Sequence, residues 1–229
     1  MYKKLKCAII GYGYMGEIRH RMVRQHPDTD LLMICESNAD KLTENYKFAM
    51  VKDPNEVLES DVDMVFVCTP NHLIPDLAIK CLERDKNVFC EKPPGRTLSD
   101  IVRMMNAEKK NPSTKLMFGF NHRFHDSVRR AQKLIDSGDL GDIINIRGVY
   151  GKSKVLSYAG SWRAERRFAG GGILLDQGIH LVDLMRLFCG EFVEVKSFIS
   201  NFPRRSKNIY IIFSKNRKYF QSFDIKRGS

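Results

Sequence analysis

Gly11-Tyr12-Gly13-Tyr14-Met15-Gly16 decides the fold, because its G-x-G-x-x-G spacing closes the apolar run Lys6 to Gly11 and opens a helical stretch. Glycines are wanted there for a tight turn, for close approach of the backbone to a pyrophosphate, and for packing of the next helix on the strand. The helix N-terminus adds N–H groups and positive potential for the phosphates. Alone the hexapeptide is weak evidence, and its context is what strengthens it. Glu36 closes the next apolar run, Leu31 to Glu36, twenty residues past Gly16, where a carboxylate accepts hydrogen bonds from adenosine ribose hydroxyls. Its charge repels a 2′-phosphate, which favours NAD over NADP. Gly11, Gly13, Tyr14, Met15, Gly16 and Glu36 are therefore the expected cofactor-binding residues of this block.

Outward from that loop, apolar β-like runs recur at Met64 to Thr69, Asn87 to Cys90 and Lys115 to Phe120. Helical patterns separate them: Ile74, Leu77, Ala78, Cys81 and Leu82 keep the i, i+3, i+4 rule, as do Ile101, Met104, Met105 and Glu108 after a helix start at Ser99-Asp100. This alternation predicts a doubly wound parallel sheet covered by helices over residues 1–120. Thr69-Pro70-Asn71-His72 ends its run at the carboxyl edge of that sheet, where such folds bind ligands, so these four are expected beside the cofactor. His72 reads equally as a helix-start residue with no ligand. Past residue 121 the rhythm changes to a helix near Ser127 to Ser137, a strand near Ile143 to Tyr150, a further helix, and a strand near Phe192 to Ile199. A second, α+β domain over 121–229 is expected, joined without a flexible linker.

Composition excludes several classes. With 43% hydrophobic and 28% charged residues the 229-residue chain reads as an ordinary globular protein, and no apolar run approaches the ~20 residues that span a bilayer. The expected compartment is the cytoplasm, with no membrane partner. Cys7, Cys35, Cys68 and Cys90 lie inside apolar runs and no Cys-x-x-Cys or Cys/His ligand spacing occurs, so the cysteines read as reduced core residues and no metal is expected. The net charge of +11 is uneven: residues 201–229 hold eight Lys or Arg against Asp224 alone and carry +7 of it. A basic tail can bind polyanions, but a charge run is ordinarily a solvated surface, and no nucleic-acid partner is expected.

Chemistry concentrates in Ala169-Gly170-Gly171-Gly172-Ile173-Leu174-Leu175-Asp176-Gln177-Gly178-Ile179-His180-Leu181-Val182-Asp183. At ~100° per residue, Asp176, His180 and Asp183 fall at about 0°, 40° and −20°, a narrow polar stripe on an otherwise apolar helix. Burying a charge without partners is costly, so the stripe is expected to face a cleft where ligand and solvent satisfy it. Asp183 also reads as a residue paired within the protein. A lone His or Asp on an apolar helix is more often a hydrogen-bonded core residue than a catalyst, so the stripe needs the rest of the chain behind it.

At Glu91-Lys92-Pro93-Pro94 the chain resembles the glucose-fructose oxidoreductase, inositol dehydrogenase and rhizopine-catabolism (Gfo/Idh/MocA) family. Three blocks in order carry the resemblance: the glycine loop, Glu91-Lys92-Pro93, and the Gly-Gly-Gly…Asp-x-Gly-x-His-x-x-Asp of 170–183, with Ser161-Trp162-Arg163 ahead of the last. It covers about residues 5–200. The resemblance implies a Rossmann domain followed by an α+β domain with an open, mostly antiparallel sheet, substrate between the two, and oligomers formed through the second sheet. It implies that Lys92 contacts the reacting oxygen, that His180 is the acid/base and Asp176 a substrate-binding or orienting carboxylate. Glu91, Lys92, Trp162 and Arg163 are then neighbours of the cofactor. Asn121 and Arg123, after the run ending at Phe120, read as substrate-cleft residues or as residues that hold the domains together. The implied reaction is NAD(P)-dependent hydride transfer at a hydroxyl of a sugar, polyol or nucleotide-sugar. The alternative is a non-catalytic dinucleotide-binding sensor or a degenerate remnant of such an enzyme.

One region departs from the family. Family members usually run well past this length, and the second sheet is expected to be incomplete. Phe202-Pro203-Arg204-Arg205-Ser206-Lys207-Asn208 stands where relatives commonly carry an acidic residue, and the Glu-free basic stretch that follows reads as a truncated or frame-shifted end. Asn208 to Phe213 and Tyr219 to Ile225 also have the pattern of a hairpin around Lys215-Asn216.

Overall fold

Strands buried on both faces require uninterrupted apolar runs, and the first half of the chain supplies them. In the computed structural model, which describes residues 3–38, 48–152, 160–199, 209–216 and 219–227, these runs form six strands. They are β1 (Leu5–Ile10), β2 (Thr29–Cys35), β3 (Ala49–Val51), β4 (Met64–Val67), β5 (Asn87–Cys90) and β6 (Leu116–Phe118). All pair in parallel, in the order β3-β2-β1-β4-β5-β6. This is the doubly wound arrangement, with its switch point between β1 and β4. Alternation along β1 feeds two cores: Ala8 and Ile10 pack with Val65, Val67, Ala78, Leu82 and Met104, and Cys7 and Ile9 pack with Val23, Leu31 and Ile34.

The connecting helices are α1 (Tyr14–Gln25), α2 (Pro54–Glu59), α3 (Ile74–Leu82) and α4 (Leu98–Lys110). The start of α4 is Thr97, not Ser99. Its hydroxyl accepts the Asp100 N–H at 3.2 Å while Asp100 Oδ2 accepts the Thr97 N–H at 3.2 Å, a reciprocal cap. Sequence periodicity missed β3 and α2, since three and six residues are too few to show a period, although Asp53 accepting the Asn55 N–H at 2.9 Å before Pro54 is an ordinary helix-start signal.

The chain divides into two compact units, residues 1–119 with 165–170, and residues 120–164 with 171–229. The second holds α5 (Asp126–Asp136) and β7 (Arg147–Lys152). The returning segment of the first unit contains the short α6 (Arg166–Ala169), and the second unit resumes with a π-helical turn (Leu174–Gly178), α7 (Ile179–Cys189), β8 (Glu194–Ile199), β9 (Ile209–Asn216) and β10 (Tyr219–Arg227). Its sheet runs β7-β10-β9-β8, antiparallel at β8–β9 and β9–β10 and parallel at β10–β7. The sheet is open and mostly antiparallel, and among the described residues β7 and β8 each have one neighbour. The hairpin forms, with Tyr219 opposite Asn216, so Lys215-Asn216 end β9 and the connection falls at 217–218, outside the described residues. Phe202 to Asn208 also lie outside them. Strand β7 starts at Arg147, four residues later than the apolar pattern begins, because Ile143 to Ile146 are not in a strand.

A Cβ on Gly148 of β7 would sit 2.6 Å from Leu181 Cδ1, so the glycine lets α7 lie close on the sheet, and Met185 is buried there among Ile146, Ile173, Leu174 and Phe192. Among the described residues no helix is long and apolar enough to cross a membrane.

Candidate active site

The expected cofactor segments of the first unit all fall at the C-terminal edge of its sheet: Gly11 follows β1, Glu36 follows β2, Thr69 lies two residues past β4, and Glu91-Lys92 follow β5. Gly11 has φ +93°, and a Cβ on it would meet the Cys68 carbonyl oxygen at 2.8 Å. A Cβ on Gly16 would lie 2.1 Å from the Gly11 carbonyl oxygen. Packing therefore demands two of the three glycines. Gly13 differs: it caps α1 without a side-chain hydrogen bond, and a Cβ there would meet nothing within 4 Å. The turn is thus open to a ligand at the helix N-terminus, next to Tyr14 and Met15, and these residues fit a pyrophosphate.

Glu36 stands beside this turn. Its Oε2 accepts the Tyr12 N–H at 2.8 Å and its Oε1 the Asn38 N–H at 2.9 Å. The Ser37 hydroxyl is a third donor, 3.4 Å from Oε1, and a carboxylate with about four lone-pair sites still has acceptor capacity, which suits ribose hydroxyls. At the switch point, where a Cβ on Gly11 would lie 3.1 Å from the Thr69 nitrogen, Thr69 Oγ1 is buried and has no hydrogen-bond partner among the described residues. The same holds for His72 Nδ1. Buried polar atoms are nearly always satisfied, so both fit a group that comes from outside the protein.

Asn71 and His72 also hold the returning segment. Buried Asn71 donates from Nδ2 to the Ala169 carbonyl at 2.8 Å, His72 packs on Phe168 at 4.7 Å between ring centroids, and Arg96 donates to the Arg167 carbonyl at 2.7 Å. Gly170, with φ +82°, is pressed against Arg96, whose Cα a Cβ would approach to 2.6 Å. Pro70 accepts the Leu73 N–H at 3.0 Å ahead of α3. Burial, reinforced by the Arg96 charge, holds the His72 imidazole below its ordinary range.

Glu91 is 7% exposed and paired: Arg19 of α1 donates from Nε and Nη2 to its Oε1 at 2.8 and 2.6 Å, with the guanidinium 4.6 Å from the centre of the Phe89 ring. The pair fastens the helix behind the glycine turn to the end of β5. Arg19 was not among the expected residues, since seventy-two positions separate the partners and no local period links them. Lys92, next in line, is half-buried, and its peptide to Pro93 is cis.

In the second unit two residues of the polar stripe are buried. His180 is 5% and Asp183 8% exposed, while Asp176 is half-buried on the π-turn. The cost of burying Asp183 is met by Arg123, which donates from Nε to Oδ2 at 2.7 Å and from Nη2 to Oδ1 at 2.6 Å. That side-on pair keeps the Arg123 guanidinium protonated more firmly than usual. It ties the 3-10 turn Asn121–Phe124, with exposed Asn121, to α7. His180 lies face to face with His122, at 4.0 Å between centroids and 13° between planes, and edge-on to Phe120 at 6.2 Å. His122 was also missed, although it sits between the expected Asn121 and Arg123. Trp162 and Arg163 form a 3-10 turn in which the guanidinium lies 4.4 Å from the indole centre.

Known proteins place this chain. The Gfo/Idh/MocA model described as an oxidoreductase family with an NAD-binding Rossmann fold matches residues 5–120, and the GFO/IDH/MocA C-terminal domain matches residues 128–216. Myo-inositol 2-dehydrogenase of Thermotoga maritima is 32% identical over 197 residues, which cover 83% of this chain and 56% of that protein. The crystal structure of myo-inositol 2-dehydrogenase from Lactobacillus plantarum superposes with a TM-score of 0.86 at 26% identity, over 99% of this chain and 71% of that one. Levoglucosan dehydrogenase in complex with NADH gives a TM-score of 0.84 at 26% identity, over 99% and 68%. The chain spans about half the length of the curated relatives it matches. With an NAD-binding Rossmann domain and the second domain of the same family, the chain belongs to the Gfo/Idh/MocA oxidoreductases.

Proposed function

We propose that the chain transfers hydride between NAD and a secondary hydroxyl of a sugar, polyol or nucleotide-sugar. The observation that carries this reading is the sheet edge of the first unit, where an open glycine turn, a ribose-type carboxylate, a buried hydroxyl and an ammonium follow strands β1, β2, β4 and β5. NAD, when bound, supplies the hydride-accepting ring. The N-terminus of α1 and Gly13 hold the pyrophosphate, and Glu36 holds the ribose and repels a 2′-phosphate. Lys92 donates a hydrogen bond to the substrate oxygen, which stabilises it as the carbonyl forms. His180 takes the hydroxyl proton while the hydride leaves the same carbon. With its Nδ1 buried, Nε2 is the nitrogen assigned to the substrate. Asp176 orients the substrate, and Trp162 and Arg163 line the cofactor. Cysteines held as thiols within apolar strands and a use for NAD support the cytoplasm as its compartment.

The test is NADH formation by the full chain with a panel of inositols, hexoses and anhydrosugars. Polyol-dependent NADH is expected, lowered about 10²- to 10⁴-fold by His180→Ala. Tight NAD binding with no turnover on any member of the panel would replace the enzyme by a dinucleotide-binding protein.

A further inference from the structure

The stack of His122 on His180 is unused by the roles above, and its geometry is specific. Two rings 4.0 Å apart and 13° from parallel place two potential cations one above the other. Neutral imidazole over imidazolium is attractive, as for a cation over any aromatic face, whereas two imidazoliums at that distance repel strongly. One proton therefore satisfies the pair and a second is resisted. His180 is 5% exposed and His122 is half-buried, so desolvation directs the charge to His122. The described titratable or charged groups on these elements include His125, 5.1 Å from His122 at the start of α5, Asp126 in the first turn of α5, Asp176 on the π-turn, Arg186 in the last turn of α7, and the Arg123–Asp183 pair, whose charges offset each other.

We propose that His122 is a positioning residue, which fixes the ring plane of His180 and takes up charge first, so that His180 remains the neutral, proton-accepting partner. The coupling stands on the stack alone, and its service to catalysis rests on the acid/base role proposed for His180. Two groups that interact in this way titrate in two separated steps that belong to the pair.

The test is a titration of the assigned histidine ring signals by NMR between about pH 4.5 and 8.5, on the full chain and on His122→Phe, which keeps an aromatic stack without a second basic nitrogen. The His180 midpoint is expected to rise by about one pH unit or more in His122→Phe. His122→Gln, which removes the ring together with its basic nitrogen, is expected to raise the His180 midpoint likewise, and this holds the inference open to test where one variant does not fold. Where the chain turns over a polyol, the acidic limb of kcat/KM is expected to move up with the His180 midpoint. Coupled midpoints in a chain without turnover uphold the pair and remove the enzymatic reading. Unchanged midpoints in both variants overturn the pair, whether or not the chain is an enzyme.

Discussion

Each unit pairs an arginine with a buried carboxylate, and the two pairs sit in different surroundings. Arg19 reaches a single oxygen of Glu91 beneath a sheet whose two cores hold nearly every fully buried apolar side chain described. Arg123 grips both oxygens of Asp183 on α7, where among the described residues Met185 is the buried centre of a cluster with partly buried Ile146, Ile173, Leu174, Leu181, Val182 and Phe192. In the first unit the ion pair adds the placement of one helix to a described apolar core. On α7 it joins the turn Asn121–Phe124 to the helix that carries His180.

The sharpest way to break this contrast is core truncation. Ile9→Ala, at a fully buried position, is expected to destabilise the first unit by about 3–4 kcal/mol, and Val182→Ala, half-buried on α7, the second by only about 1 kcal/mol. Denaturant unfolding followed by a probe in each unit checks this, and equal losses would erase the distinction. Next in size, Arg123→Ala strands the Asp183 carboxylate and is expected to cost about 2 kcal/mol, since the arginine is partly exposed. A double change to Arg123→Met with Asp183→Leu should recover much of it, as replacing both partners removes the stranded charge.

A smaller effect concerns pH. Burial lowers the titration of His72, with help from Arg96, and that of His20, with help from Arg24, so the unfolded chain binds their protons more readily than the folded one. The stability they leave intact is full above the unfolded value of about 6.5 and is lost as pH falls through it toward their lower folded values. Unfolding midpoints at a series of pH values should show this loss, and His72→Gln should reduce it. Least visible of all is thiol reactivity: burial pushes Cys7 up to about 11 and Cys35, Cys68 and Cys81 up to about 12, so alkylation in the native state should be slow and should quicken on unfolding.

What the sequence told in advance follows the range of the interactions involved. The glycine loop, Glu36 and the apolar runs are local patterns, and β1, β2, β4, β5 and β6 lie where those runs lie. The return of Glu165–Gly170 to the first unit rests on Asn71, His72 and Arg96, about seventy to one hundred residues away in the chain. No window of local periodicity contains both ends. The same limit hid Arg19 beside Glu91 and His122 beneath His180. The π-turn at Leu174–Gly178 was hidden for another reason: a sequence read at a fixed 100° per residue cannot register a local change of winding. Asp176 lies on that turn, and His180 and Asp183 after it find their partners on the turn after β6.

The division of labour between the units is tested most directly by NAD affinity and polyol turnover measured on the same three proteins: the unaltered chain, Glu36→Ala and His180→Ala. Glu36→Ala is expected to weaken NAD binding, while His180→Ala keeps the affinity of the unaltered chain and loses turnover about 10²- to 10⁴-fold. Turnover that survives His180→Ala, or NAD binding indifferent to Glu36→Ala, would contradict it.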